Sequence, residues 1–161
     1  MVQVGFGGTE GVIENKYSEL YVNGELEFMG SAKIAKGSTL RIDGGTMKIG
    51  NNFSCNKNCF LSCKYGITIE DDVLLGWNVS LRDNGGHRIW VEGKEKCKTQ
   101  GTHIERHVWI ASYVDIISGV NIGADSVIGY RSLVTKDIKS KNVLIAGSPA
   151  TIVKENINWN L

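Results

Sequence analysis

Three histidines, His87, His103 and His107, are the residues of this chain best suited to chemistry. His87 ends the polar segment RDNGGH (82–87), in which two glycines let the backbone approach a ligand closely. An imidazole, with an ordinary pKa of about 6.5, can take a proton from a hydroxyl group near neutral pH. Three histidines can also bind zinc. Proton transfer and zinc binding are therefore both open at this point.

The amino-acid composition limits the classes of partner that the chain is expected to bind. The chain has 161 residues with 18 lysines and arginines against 17 aspartates and glutamates, so it has no basic field to attract nucleic acid or an anionic membrane. No apolar run approaches the length of a membrane span, and the first residues lack the pattern of a secretory signal. We therefore expect one domain over residues 1–161, located in the cytoplasm, with reduced thiols.

A six-residue period in the second half predicts the elements that must position these histidines. The residue four places after each aliphatic position is small or apolar, and in extended chain it points to the same side as the next aliphatic position. A helix would need spacings of three and four, so short strands joined by corners are predicted, three to a coil. The aliphatic positions are Ile104, Ile110, Ile116, Ile122, Ile128 and Val134, and the positions four places later are Val108, Val114, Val120, Ser126, Ser132 and Ile138.

The first half carries the same pattern less regularly, with breaks near Gly44–Gly45 and from Cys63 to Gly66 that predict bulges or small loops. Cys55 and Cys59 fall on inward positions, so core packing is favoured over a zinc site made with Cys63. Residues 82–103 have no six-residue pattern and are rich in polar side chains. We predict that they leave the coil as an excursion, and a long loop on a rigid scaffold usually carries function.

Two stretches resemble a known family. The segments HVWIASYVDIISGVNIGADSVIGYRSLVTKDI (107–138) and AGSPATIVK (146–154) are similar to the C-terminal signature of hexapeptide-repeat acyltransferases. These include galactoside, maltose and capsular or lipopolysaccharide O-acetyltransferases, and the similarity covers residues 30–158. The resemblance implies an all-β, left-handed parallel β-helix and a homotrimer with active sites between subunits. It also implies acetyl-CoA as acyl donor, a hydroxyl of a sugar or glycan precursor as acceptor, and no metal.

The same resemblance assigns roles to residues. It implies that His87 is the general base, that Asp83 orients the imidazole or binds the acceptor, and that Asn56 binds the acceptor. An exposed loop aspartate is the alternative for Asp83. Burial at a trimer interface is the alternative for Trp109. The segment GYR (129–131) replaces the family's usual Gly-Ala-Gly. The residues implied in cofactor binding are Trp109, Ser112, Gly129, Tyr130, Arg131, Thr135, Lys136 and Lys154.

Two other functions remain open. Zinc enzymes of the γ-carbonic anhydrase type share the coil and bind zinc through three histidines, although His103 and His107 stand four apart rather than in that family's spacing. The second alternative function is that of an assembly module, a β-helix without catalytic activity. Zinc content and acyl-CoA binding discriminate these alternatives from the acetyltransferase.

Overall fold

The computed structural model of the chain describes residues 1–7, 17–96, 100–117 and 119–160. In these residues the chain winds into coils with three faces, which we call A, B and C in the order in which the chain crosses them. Each face is a ladder of parallel strands from successive coils. The described residues form strands, turns and bends, and no helix is found among them.

Face A is a continuous sheet in which each strand pairs in parallel with the strand one coil away. A final strand, β19 (Ala150–Lys154), returns antiparallel to the last of them and closes this edge. The parallel strands are β1 (Val2–Phe6), β3 (Ala32–Ala35), β5 (Phe53–Cys55), β8 (Leu74–Leu75), β13 (Trp109–Ile110), β16 (Val127–Ile128) and β18 (Leu144–Gly147).

Faces B and C are joined by two long paired strands, β2 (Glu19–Phe28) and β4 (Thr39–Ile49), which run along both faces. Face B continues with β6 (Phe60–Cys63), β9 (Ser80–Arg82), β14 (Asp115–Ile116) and β17 (Leu133–Val134). Face C continues with β7 (Gly66–Ile69), β12 (Thr102–Ile104) and β15 (Asn121–Ile122), followed by a bridge from Ile122 to Ile138.

The inward positions form one apolar core that runs through the coils. Ile110, Ile116, Ile122 and Ile128 are each at most 1% exposed, which confirms the prediction from the six-residue period. Serine is accepted at the positions four places later because its hydroxyl serves the backbone of a corner. Ser132 Oγ donates to the carbonyl of Gly129 at 2.7 Å and accepts from the amide of Gly147 at 3.2 Å.

The departures from the six-residue spacing fall at the corner between faces B and C. At Gly44–Gly45 strand β4 carries a bulge opposite a register shift in β2, and at 64–65 the chain makes a turn between β6 and β7. Both predicted breaks are confirmed. The excursion leaves from this corner after Arg82 and returns at Thr102, slightly inside the predicted bounds of 82–103. It contains a small antiparallel hairpin of β10 (Trp90–Val91) and β11 (Lys94–Glu95).

The cysteines pack as predicted. Cys55 and Cys59 are buried in the core as free thiols, and so is Cys63 at the register break. Hydrogen bonding with Cys59, and after it burial, raise the pKa of the Cys55 thiol well above its usual value. The Cys55 thiol is therefore a neutral core side chain at neutral pH. Cys97 lies outside the described residues.

Candidate functional site

A groove of about 530 Å³ runs along face A and onto the corner between faces A and B. One wall is a column of apolar side chains from four paired strands in consecutive coils. The opposite side is formed by residues of the corner between faces A and B. The column is Leu74, Trp109, Val127 and Leu144. The corner residues are Asn56, Gly76, Trp77, Ala111, Ser112, Gly129 and Tyr130. An apolar groove with a few polar groups suits a narrow ligand with an apolar stem.

The floor of the groove depends on the absence of side chains. A Cβ atom on Gly76 would lie 2.5 Å from the amide nitrogen of Ser112 and 2.6 Å from its hydroxyl oxygen. Glycine therefore lets the two coils approach each other at this point. The Ser112 hydroxyl accepts a hydrogen bond from the Trp77 amide at 3.0 Å. Ser112 thus holds Trp77 and the corner in place as well as lining the groove.

A cluster of Tyr113, Tyr130 and Arg131 stands at the rim. The two tyrosine rings meet edge to face with centroids 5.5 Å apart, and the Arg131 guanidinium lies 5.5 Å from each ring. Tyr113 and Arg131 have left-handed backbone angles, with φ of 61° and 57°, at a corner position where earlier coils use Asn58 and Asn78. Asparagine adopts this conformation more easily than a tyrosine or an arginine, and such outliers often mark function.

Tyr113 was missed by the sequence reasoning. The sequence does contain a sign of its special position, because a bulky tyrosine replaces the asparagine that earlier coils have at this corner. The structure shows that the backbone there is left-handed. Trp77, the other large side chain missed, stands at the start of the same corner in the preceding coil and lines the groove.

The structure brings five of the sequence-predicted residues together in this groove: Asn56, Trp109, Ser112, Gly129 and Tyr130. Arg131 follows at the same corner. Lys154 lies on β19 opposite Leu144, which places it beside the groove's last coil. Trp109 is 39% exposed in the single chain, so its side chain is open to a ligand or to a neighbouring subunit.

The remaining predicted residues lie at a different corner. Thr135 and Lys136 follow β17 and therefore stand between faces B and C. The excursion that carries His87 leaves from the same corner, after β9. His87 is exposed, as are Gly85 and Gly86 before it. Within one chain, the His87 excursion and the groove thus originate at separate corners of the coil.

Asp83 is fully buried at 0% exposure, so the interpretation as an exposed loop aspartate is wrong. Its carboxylate accepts hydrogen bonds from the amides of Lys64, Tyr65 and Gly66 at 2.7–3.0 Å, and from the Asn84 side chain at 2.9 Å. An acceptor could reach this carboxylate only if these bonds opened. Burial, and after it the negative charge of Asp83, raise the pKa of the Cys63 thiol to about 12.

The other two histidines are bound by carboxylates of the coil. His103 Nε2 lies 2.8 Å from Glu70 Oε1, and His107 Nδ1 lies 3.0 Å from Asp125 Oδ1. The His107 ring also stacks on Trp159 with centroids 4.3 Å apart. Over residues 1–7, 17–96, 100–117 and 119–160, no three His, Cys, Asp or Glu side chains are grouped to hold a metal ion. His103 and His107 are thus each paired with a different carboxylate of the coil.

No helix long and apolar enough to cross a membrane occurs among the described residues.

Known proteins resemble the chain in sequence and in fold. Residues 101–136 match the family of bacterial transferase hexapeptide repeats (six repeats). The galactoside O-acetyltransferase of Escherichia coli K12 is 40% identical over 114 residues, which cover 70% of this chain and 55% of that protein. This chain spans about half the length of the curated relatives it matches.

Two solved structures share the fold. The polySia-specific acetyltransferase NeuO is 30% identical with a TM-score of 0.63, covering 84% of this chain and 68% of that one. A hexapeptide-repeat acetyltransferase of Vibrio cholerae complexed with acetyl coenzyme A is 29% identical with a TM-score of 0.60, covering 75% and 69%. The coils and this likeness confirm the predicted left-handed parallel β-helix. The chain belongs to the hexapeptide-repeat acetyltransferase family.

Proposed function

We propose that this protein transfers an acetyl group from acetyl-CoA to a hydroxyl of a sugar or glycan precursor, with His87 as general base. The observation that carries the proposal is the groove, which collects Asn56, Trp109, Ser112, Gly129 and Tyr130 on one face of a hexapeptide coil. Relatives named as galactoside and polysialic acid O-acetyltransferases support the reaction and the acceptor class.

The groove is suited to the pantetheine arm of the donor. Its wall is apolar, and Trp109 offers a flat surface. Ser112 lines the same groove, and its hydroxyl is proposed to lie at the thioester end of the donor. Asn56 lies at the opposite end from Leu144, four paired coils away, and is proposed to bind the acceptor. The phosphates are assigned to Arg131, Lys136 and Lys154, because guanidinium and ammonium groups bind phosphate well, and to Thr135, whose hydroxyl can donate to a phosphate oxygen.

The chemistry requires one proton transfer in each direction. The imidazole of His87 accepts the proton of the acceptor hydroxyl while the oxygen attacks the thioester carbonyl carbon. A carbon–oxygen bond forms, the carbon–sulfur bond breaks, and the sulfur of coenzyme A takes up the proton from the imidazolium. The products are the acetyl ester and free coenzyme A. A hydroxyl is a poor nucleophile, so without His87 the attack should be slow.

The two-corner arrangement supports an active site between subunits. A contact that joins the corner between faces A and B of one copy to the corner between faces B and C of the next uses two different surfaces. Repeated around a threefold axis, such a contact closes into a ring. We therefore propose a homotrimer in which His87 of one subunit meets the groove of its neighbour. The acetyl-CoA donor supports the cytoplasm as the proposed location.

The reaction is tested by incubating the protein with acetyl-CoA and a panel of sugars and glycans, with detection of the released thiol. The variant Ala111→Phe fills the groove floor and should abolish binding of coenzyme A by calorimetry. Its matched control is Lys33→Phe, an exposed outward position on the same face that lies outside the groove. Coenzyme A binding that survives Ala111→Phe would remove the groove from the proposal. Stoichiometric zinc in protein purified without chelator would favour the zinc enzyme.

The assembly is tested by complementation. Co-expressed His87→Ala and Ala111→Phe subunits should recover activity if each site takes its histidine and its groove from different copies. With random mixing, about a quarter of the sites in a ring would combine an intact histidine with an intact groove. Recovery of no activity above the separate variants would place both elements on one subunit.

A further inference from the structure

The root of the His87 excursion is tied to the coil by a buried carboxylate. Asp83 immediately follows β9, and its side chain points to the turn that begins at Lys64 in the preceding coil. Tyr65 and Gly66 donate their amides to Asp83 Oδ2 at 2.7 and 2.8 Å, and the Lys64 amide reaches both oxygens. Three consecutive amides that converge in this way form a nest for an anion. Asp83 fills that nest from within the chain.

The turn that provides the nest is itself held firmly. A Cβ atom on Gly45, in the coil before, would lie 2.9 Å from carbonyl carbons of Lys64 and Tyr65 and 3.0 Å from Cys63 Sγ. The turn is thus packed against the backbone beneath it, and glycine makes this approach possible. Asp83 is therefore attached to a closely packed part of the coil.

A second link connects Asp83 to His87. The Asn84 amide group donates to Asp83 Oδ1 at 2.9 Å, and its carbonyl oxygen accepts from the Gly86 amide at 3.0 Å. Gly86 has a left-handed φ of 79°, which lets the chain turn directly before His87. From the coil outward, the order of contacts is the 64–66 turn, Asp83, Asn84, Gly86 and then His87.

We propose that Asp83 and Asn84 are positioning residues that fix where the excursion presents His87, in place of a direct contact between Asp83 and the acceptor. This inference rests on the proposed function for the role of His87. The hydrogen bonds that run from the 64–66 turn through Asp83 and Asn84 to Gly86, which we call the tether, are present in the structure whatever the role of His87. Without it, the four residues between β9 and His87 would be free to sample other turns, and small displacements of a catalytic group are costly in rate.

The sharper variant is Asn84→Ala, which cuts the second link but keeps the bonds from the 64–66 turn to Asp83. We expect kcat to fall by about ten- to a hundredfold, while KM for acetyl-CoA and the melting temperature stay near wild type. Asn84→Ser should recover part of the rate, because a serine hydroxyl can accept from the amide two residues on. Glu95→Gln, which removes only the exposed ion pair with Arg88, is the matched control and should keep the wild-type rate.

Asp83→Asn should lower kcat further, because one carboxylate oxygen becomes a donor that faces the amides of the nest. The acidic limb of the pH–rate profile should stay at the same pH in both variants. If the acidic limb moved by a full pH unit in either variant, the Asp83 carboxylate would act directly on the His87 imidazole, and the proposal would be overturned. An increase in KM for the acceptor with kcat unchanged would restore acceptor binding to Asp83.

A readout that does not depend on catalysis separates this proposal from the proposed function. Trypsin should cleave the native variants after Arg88 faster than it cleaves wild type, and the amides of Tyr65 and Gly66 should exchange faster in Asp83→Asn. If wild type shows no acetyl transfer but these changes appear, the tether stands and the proposed function fails. Unchanged cleavage in both variants would overturn the tether.

Discussion

The regular coils and the excursion are held by opposite means. In the coils, Val108, Val114 and Ser126 occupy equivalent inward positions and are buried alike, so different small or apolar side chains of suitable size are accepted there. In the excursion, the root depends on hydrogen bonds between specific groups: Asp83 accepts from the amides of the 64–66 turn, and Asn84 joins Asp83 to Gly86. The coils distribute their stability over many similar contacts, whereas the excursion concentrates its order in a few polar ones. Substitutions in the two regions should therefore affect different properties.

The largest effect is expected in the core. Ile116→Asp should prevent folding, because an unpaired buried charge costs several kcal/mol and a domain of this size is stable by only about 5–15 kcal/mol. Ile116→Val, its matched control, should cost about 0.5–1.5 kcal/mol and leave the fold intact. Circular dichroism and chemical unfolding measure both. A folded Ile116→Asp protein would contradict the dry core.

The next effect is expected in the excursion and should leave the core untouched. His87→Ala should lower kcat by about 10²–10⁴, the usual contribution of a general base, with coenzyme A affinity and melting temperature near wild type. The wild-type rate should fall as the pH drops through the range in which an imidazole is protonated, and this limb should vanish from the residual activity of the variant. Full activity in His87→Ala, with His103→Ala inactive but folded, would make the assignment wrong.

The contrast between the regions also explains what could be predicted from the sequence. The period from Ile104 to Val134 predicts the strands and their inward faces because each coil repeats the same physical requirement. Trp109 and Ser112 were predicted as binding residues from the family resemblance, and the structure brings them together in the groove. The corners at which the chain turns followed from the spacing alone, including the bulge at Gly44–Gly45.

What could not be predicted depends on contacts between residues far apart in sequence. Asp83 reads as a polar loop residue, since nothing in its neighbourhood shows that the amides of Lys64 to Gly66 converge on it from the coil before. The stack of His107 on Trp159 joins positions 52 residues apart at the end of the chain. No periodic pattern encodes either contact, because each occurs once.

A smaller effect on stability is expected at the corner between faces C and A. His107→Ala removes the contact with Asp125 and the stack on Trp159, and it should lower the free energy of unfolding by about 1–3 kcal/mol. His107→Asn should lose less, because asparagine tolerates the left-handed φ of 53° and already occupies this kind of corner at Asn52 and Asn142. Both variants should keep the wild-type kcat. A loss of kcat without loss of stability would return His107 to the candidate catalytic residues.

The smallest effect concerns affinity and joins the two regions. Lys136 is exposed at the corner from which the excursion leaves, so Lys136→Glu should weaken coenzyme A binding by about tenfold or less at low salt. Raising the salt to about 1 M shortens the screening length to about 3 Å and should bring the two dissociation constants together. Lys33→Glu, with the same change of charge on a coil outside the groove, is the control for the net charge.

If Lys136 acts on a donor held in the groove of a neighbouring subunit, mixed oligomers of Lys136→Glu and Ala111→Phe should contain some sites of wild-type affinity. An unchanged dissociation constant at low salt would move the phosphates to Arg131 and Lys154, which lie at the groove of the same subunit, and the cofactor would then need no second copy.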